Sequence, residues 1–217
     1  MIAVFPLTSP LHDAAAIAAE TERFLTGIGL TDSLRDGFDS YGTELVSIIY
    51  VRTGGTEGLF RELFPKLRTV VTGHPFLLLA DETNNSLPAA LEILSYLRLN
   101  GCEAEVLHGT SDYVSRRVAH WHTAVDAISK LRGQRLGVVG RPSDWLIASG
   151  ADADLVRRRL GVELVDIDMS ELQQAISAVG ETDANIESAL SAKTTSVSVR
   201  ENIHGAIRIY HALKALV

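Results

Sequence analysis

Three short segments carry the side chains through which this chain could do chemistry. The first is Arg52-Thr53-Gly54-Gly55-Thr56-Glu57. Paired glycines let a backbone turn tightly and approach a ligand. A helix starting just beyond them would present free N–H groups to an oxygen-rich or anionic group, and Arg52 supplies charge. The plainer reading is a tight turn with Thr56 as N-cap, because the spacing matches neither a Rossmann fingerprint nor a P-loop. The second is Thr83-Asn84-Asn85-Ser86, whose uncharged donors and acceptors suit a polyhydroxyl ligand. Asn85 or Ser86 is expected to cap the helix that follows. With Asp81 and Glu82 beside them, these residues exceed the needs of a cap. The third is Gly140-Arg141-Pro142-Ser143-Asp144-Trp145. Here Pro142 stiffens the loop, Ser143 can cap, and Trp145 offers an aromatic face to sugar C–H groups. The plainer reading packs Trp145 in the core with Leu146 and Ile147. The candidate ligand-binding residues are thus Arg52, Thr53, Gly54, Gly55, Asn84, Asn85, Arg141, Ser143 and Trp145.

No residue is assigned as catalytic. His120 and His122 lie two apart on an expected helix, so they point to different sides and cannot share an ion. His204 and His211 are seven apart, too far for one ion, while His108 ends a strand and is a candidate for the same rim. Arg157-Arg158-Arg159 reads as a solvated helix face. There is no structural-zinc spacing, no Gly-x-Ser-x-Gly elbow and no metalloprotease motif. The single cysteine, Cys102, reads as a small buried filler at the start of a strand.

Each candidate loop follows an apolar run, and the runs set the frame. Ile2–Leu7, Leu45–Val51, Phe76–Ala80, Glu103–His108, Leu136–Gly140 and Val162–Ile167 read as strands. Helices are expected from about His12 to Leu25, to about Leu67, over Leu87–Asn100, over Ser111–Leu131, from about Asp144, from Ser170, and over Glu201–Leu216. Leu87, Ala90, Leu91, Leu94 and Leu97 set the expected inner face of the third helix. Residues 180–196 read as a linker or a mobile loop. Strands alternating with helices predict an α/β fold of mainly parallel sheets flanked by helices, flavodoxin- or Rossmann-like. One complete unit is expected at residues 1–132 and an incomplete second one at residues 134–217.

The chain has 217 residues, 46% of them apolar, and a formal charge of −7. This composition supports a globular core. The acidic balance argues against a nucleic-acid backbone or an anionic membrane surface as partner. No apolar run approaches a membrane span, and the N-terminus does not read as a signal peptide, so a cytoplasmic protein is expected.

Together, VRTGGTEG, LLADETNNSLPAALEIL and RLGVVGRPSDWLIAS, followed by VELVDIDMSEL, resemble the L-fucose isomerase / L-arabinose isomerase-like family. The resemblance runs from about Leu45 to Val217. It implies a cytoplasmic, homo-oligomeric protein acting on a small sugar by aldose–ketose isomerisation. In that family manganese or another divalent metal binds the sugar oxygens. A carboxylate base then moves a proton between C1 and C2 through an ene-diol. The family's metal ligands follow the helix that ends this chain. The resemblance therefore implies an N-terminal portion with no metal expected on it and no activity by itself. The alternatives are a non-catalytic binding module for a sugar or other small polar ligand, and an oligomerisation domain.

Overall fold

The computed structural model describes residues 1–70, 72–180, 188, 190, 192–193 and 196–216. The chain forms an α/β fold of parallel sheets flanked by helices, in two compact units, Met1–Lys130 and Leu131–Val217. The polar stretch 180–196, read as a linker or mobile loop, falls largely outside the described residues.

The first unit is built on strands β1 (Ile2–Leu7), β2 (Val46–Val51), β3 (Phe76–Ala80) and β4 (Ala104–Leu107). They pair side by side in chain order, all parallel. Helices α1 (Ala14–Gly27), α2 (Glu57–Leu67), α3 (Ser86–Leu99) and α4 (Ser111–Leu131) follow the strands. Alternate residues of a strand face opposite sides of a sheet, so a strand covered on both faces must be apolar throughout. Ala3, Phe5, Leu7, Ile49, Val51, Leu78 and Ala80 pack with Phe60 and Phe64 of α2 and Ala89, Ile93 and Leu97 of α3. The intervening Val4, Ile48, Tyr50, Leu77 and Leu79 pack with Leu25 of α1 and Val114 and Val118 of α4.

The path from β1 to β2 is indirect. After α1 the chain forms one parallel bridge, Leu34 to Val4, and Arg35 N–H donates to Val4 O. Leu7 O accepts instead from Arg52 N, so odd residues of β1 face β2 and even ones face the outer edge. Pro6 lies on that outer edge, where its missing N–H breaks no ladder bond and the pairing stops. From Leu34 the chain returns over the other face, where Phe38 stacks on Phe5 and Tyr41 meets it edge-on. The outward step uses the α1 face and the return uses the α2 face, so all crossovers share one hand, as the right-handed rule requires.

The second unit pairs β5 (Arg135–Val139) with β6 (Glu163–Ile167) in parallel. Between them lies α5 (Ala153–Leu160), capped by Asp152. After them come α6 (Met169–Ala178), with an Asp168–Glu171 capping box, and α7 (Val197–Ala215). Arg208 of α7 donates to Ile176 O at 3.0 Å, satisfying a carbonyl at the end of α6.

Several expectations are corrected. No helix begins at Asp144. Residues 141–151 have no regular structure, and Asp152 starts the next helix because its carboxylate accepts Leu155 N–H. On α3, Ser86, Ala89, Ala90, Ile93 and Leu97 are buried while Leu91 is 46% exposed. The true inner face is rotated because small residues let α3 sit close to the sheet. Trp145 and Ile147, read in their plainer sense as core, are 80% and 102% exposed. Cys102 is half-buried against the α2–α3 core. Among the described residues no helix is long and apolar enough to cross a membrane.

Candidate functional site

The helices after β1 and β2 lie on opposite faces, so the chain leaves the carboxyl ends of these paired strands in opposite directions. In open parallel sheets ligands bind at such a divergence. The loops that meet there are Thr8-Ser9 after β1, Arg52 to Thr56 after β2, and Asp81 to Asn85 after β3.

They are sewn together. Ser9 N–H donates to Thr53 Oγ1 at 2.9 Å, joining the first two loops inside the protein. Gly54 N–H donates to Asn84 O at 2.7 Å, joining the second to the third. The glycines serve this close approach. A Cβ on Gly54 would lie 3.0 Å from Asn85 Cβ, and one on Gly55, at φ +73°, would lie 3.2 Å from Ser9 Oγ. Thr53 is fully buried and spends its side chain on Ser9. Thr56 precedes α2 but does not cap it: its hydroxyl donates to Thr53 O at 2.9 Å.

The third loop is braced from beneath. The Tyr50 hydroxyl donates to Asp81 Oδ2, and Thr83 N–H and Oγ1 donate to Asp81 Oδ1 at 2.8 and 2.9 Å. Burial and the Asp81 carboxylate push the Tyr50 phenol far above its usual range, so it stays a donor. Ser86 does not cap α3 through its side chain, which accepts Asp81 N–H at 3.0 Å and donates to Val51 O. Asn85 occupies the cap position in a left-handed conformation, φ 58°, without a side-chain cap bond. The expected cap is therefore replaced by a hydroxyl that ties α3 to β2, and the exposed Asn85 amide is left unspent.

Arg52 is half-buried. Its Nε donates to Thr8 Oγ1 at 2.6 Å and its Nη1 to Thr21 Oγ1 of α1 at 3.4 Å. Burial lowers its pKa, although a guanidinium remains charged. Asn84, also left-handed at φ 50°, donates to Glu20 of α1.

Two hollows flank the Asp81–Thr83 wall. One, about 370 Å³, lies toward α1 and α4 between Glu20, Phe24, Asp81 and Thr110. The other, about 340 Å³, lies toward α3 between Glu82, Asn85, Pro88 and His108. Both fall in the size range of small-ligand sites. His108 Nδ1 is 3.0 Å from Ala80 O, which holds the ring at this rim.

Of the candidate residues, Arg52, Thr53, Gly54, Gly55, Asn84 and Asn85 come together in the first unit. Arg141, Ser143 and Trp145 follow β5 in the second unit. There Ser143 O accepts Leu146 N–H at 2.9 Å, and the charge of Arg141 helps hold the Asp168 carboxyl below its usual range after the larger effect of Ser170. Thr8, Ser9, Glu20, Thr21 and Tyr50 were not anticipated. The one local signal was Tyr50, whose phenol must find a partner when buried, in a strand that is apolar apart from it and Ser47.

Among the described residues no three or more His, Cys, Asp or Glu side chains are grouped to hold a metal ion. The edge around Arg52 does not fit a divalent cation, because the guanidinium is a like charge and both Asp81 oxygens are already engaged. No protein-family model matches the chain, and no curated protein matches it.

Proposed function

We propose that this chain is part of an aldose–ketose isomerase-like protein and that its first unit binds a small sugar at the carboxyl edge of its sheet. One observation carries the reading: three successive loops are bonded into one polar platform at the divergence of β1 and β2, with Asn85 unspent at its surface. Uncharged amides and hydroxyls are the groups that recognise a polyhydroxyl ligand. The fold is read as flavodoxin-like, with the Leu34 bridge counted as a vestigial second strand, so that β1 and β2 flank the switch point. The second unit, with two strands among the described residues, is read as an incomplete unit of the same kind. This reading makes the protein a cytoplasmic homo-oligomer and assigns recognition, with no proton-transfer step, to the residues described.

The test is titration calorimetry with L-fucose and D-arabinose, paired with an isomerase assay in added manganese. Saturable binding that weakens in Asn85→Ala supports the reading. Failure of both sugars to bind at millimolar concentration sinks it, and turnover by this chain alone would transfer the chemistry to its own residues.

One observation favours a second reading, an assembly domain: Trp145 and Ile147 are almost wholly exposed in the second unit. Sedimentation would show it. Trp145→Ser with Ile147→Ser should then shift the protein to a smaller species.

A further inference from the structure

We propose that the ligand of this edge carries an anionic substituent and that Arg52 selects it; the inference rests on the reading that the edge binds a small polyhydroxyl molecule. Removing a guanidinium from water costs free energy unless it is paired. Two other half-buried arginines of the first unit have a carboxylate partner, whereas Arg208 of the second unit donates to carbonyls. Arg35 (29% exposed) pairs with Glu44 at 3.4 Å, and Arg117 (33% exposed) pairs with Glu105 at 2.5 Å.

Arg52 is half-buried too, yet among the described residues its hydrogen-bond partners are the neutral hydroxyls of Thr8 and Thr21. Among the described residues no carboxylate lies within ion-pair distance of it. Glu20, next to Thr21 on α1, accepts from Asn84 instead. The two threonines fix the orientation of the guanidinium and leave its remaining N–H groups, on Nη1 and Nη2, without a partner. A phosphate or a carboxylate fits such a fork through paired, charge-assisted bonds, which a neutral hydroxyl cannot match. Arg52 opens the second loop of the bonded platform and reaches toward α1, so a ligand on this part of the edge can present hydroxyls to the loops and an anion to Arg52. This makes a sugar phosphate or a sugar acid a better ligand than the neutral sugar.

The experiment is calorimetry of D-arabinose 5-phosphate, D-arabinonate and D-arabinose against the wild type, Arg52→Lys and Arg52→Met. Circular dichroism and thermal melting confirm that each variant folds. Hydrogen bonds to charged groups imply that at least one anionic sugar binds about tenfold or more tighter than the neutral one. Arg52→Met should bring the anionic sugar to the neutral sugar's affinity, Arg52→Lys should keep part of the advantage, and added salt should shrink it in the wild type. Whichever anion shows the advantage identifies phosphate or carboxylate as the substituent. Equal affinity for all three sugars would overturn the role of Arg52 and leave the polyhydroxyl reading standing. Absence of binding by all three would remove both.

Discussion

Tyr50→Phe tests the brace beneath the third loop. Tyr50 is 1% exposed and Asp81 6% exposed, so water cannot replace the lost hydroxyl without opening the core. Asp81 Oδ1 keeps both Thr83 donors, while Oδ2 loses the partner it has among the described residues. Ring packing is unchanged, since the Phe24 and Tyr50 rings meet 5.4 Å apart irrespective of the hydroxyl. The loss is therefore one bond to a charged, buried acceptor, worth about 1.5–3 kcal/mol. Urea denaturation of wild type, Tyr50→Phe, Asp81→Asn and the double variant forms a thermodynamic cycle. A coupling of about 1.5 kcal/mol or more is expected, with the double variant losing less than the sum of the singles. A Tyr50→Phe loss below about 0.5 kcal/mol, the range of a neutral surface change, would refute the claim that this bond anchors the loop.

Three further outcomes follow from the same geometry. His74 is buried, with Nε2 accepting Ser47 N–H at 3.0 Å and Nδ1 2.7 Å from Pro75 O, so only its neutral form fits. Burial depresses its pKa in the folded state, so stability should fall as pH drops through the unfolded value of about 6.5 and go on falling to the lower folded value. His74→Gln should flatten that limb of a urea-midpoint profile, whereas an unchanged slope would rule out His74 as its source. Gly55→Ala adds a Cβ at φ +73° against Ser9 and should cost about 1–2 kcal/mol. Gly58→Ala, in α2 with open space around it, should stabilise by about 0.4–1 kcal/mol, and thermal melts compare the two. Trp145→Ser should leave the unfolding free energy from urea titration within about 0.5 kcal/mol of wild type, because an 80%-exposed ring has little packing to lose.

The strands were legible from composition alone. Val46–Val51 and Phe76–Ala80 are short apolar runs because both faces of a parallel sheet are covered, and the observed bounds match the expected ones within a residue or so. The helix expected at Asp144 failed because Pro142, Ser143 and Asp144 look like any helix start, while Asp152 supplies the cap in fact. The inner face of α3 was misread because Leu91 and Ile93 are alike to a hydropathy pattern. Their difference is decided by how closely the small residues Ser86, Ala89 and Ala90 let α3 approach the sheet, where Ser86 bonds Val51 O, 35 residues away.

The candidate site divides along the same line. By itself the sequence determined that polar loops follow buried strands and that Arg52, Asn84 and Asn85 occupy them, since those facts depend on neighbours in the chain. It could not show that Gly54 and Gly55 are small to admit Asn85 and Ser9, that Thr53 is internal, or that Asp81 is occupied by Tyr50. Each of those facts depends on strand order and register, which bring residues 30 to 45 positions apart within a hydrogen bond. Arg52 shows the division most clearly. Its charge is written in the chain, but its pairing with the hydroxyls of Thr8 and Thr21, with no carboxylate among the described residues in reach, arises only when β1, β2 and α1 pack.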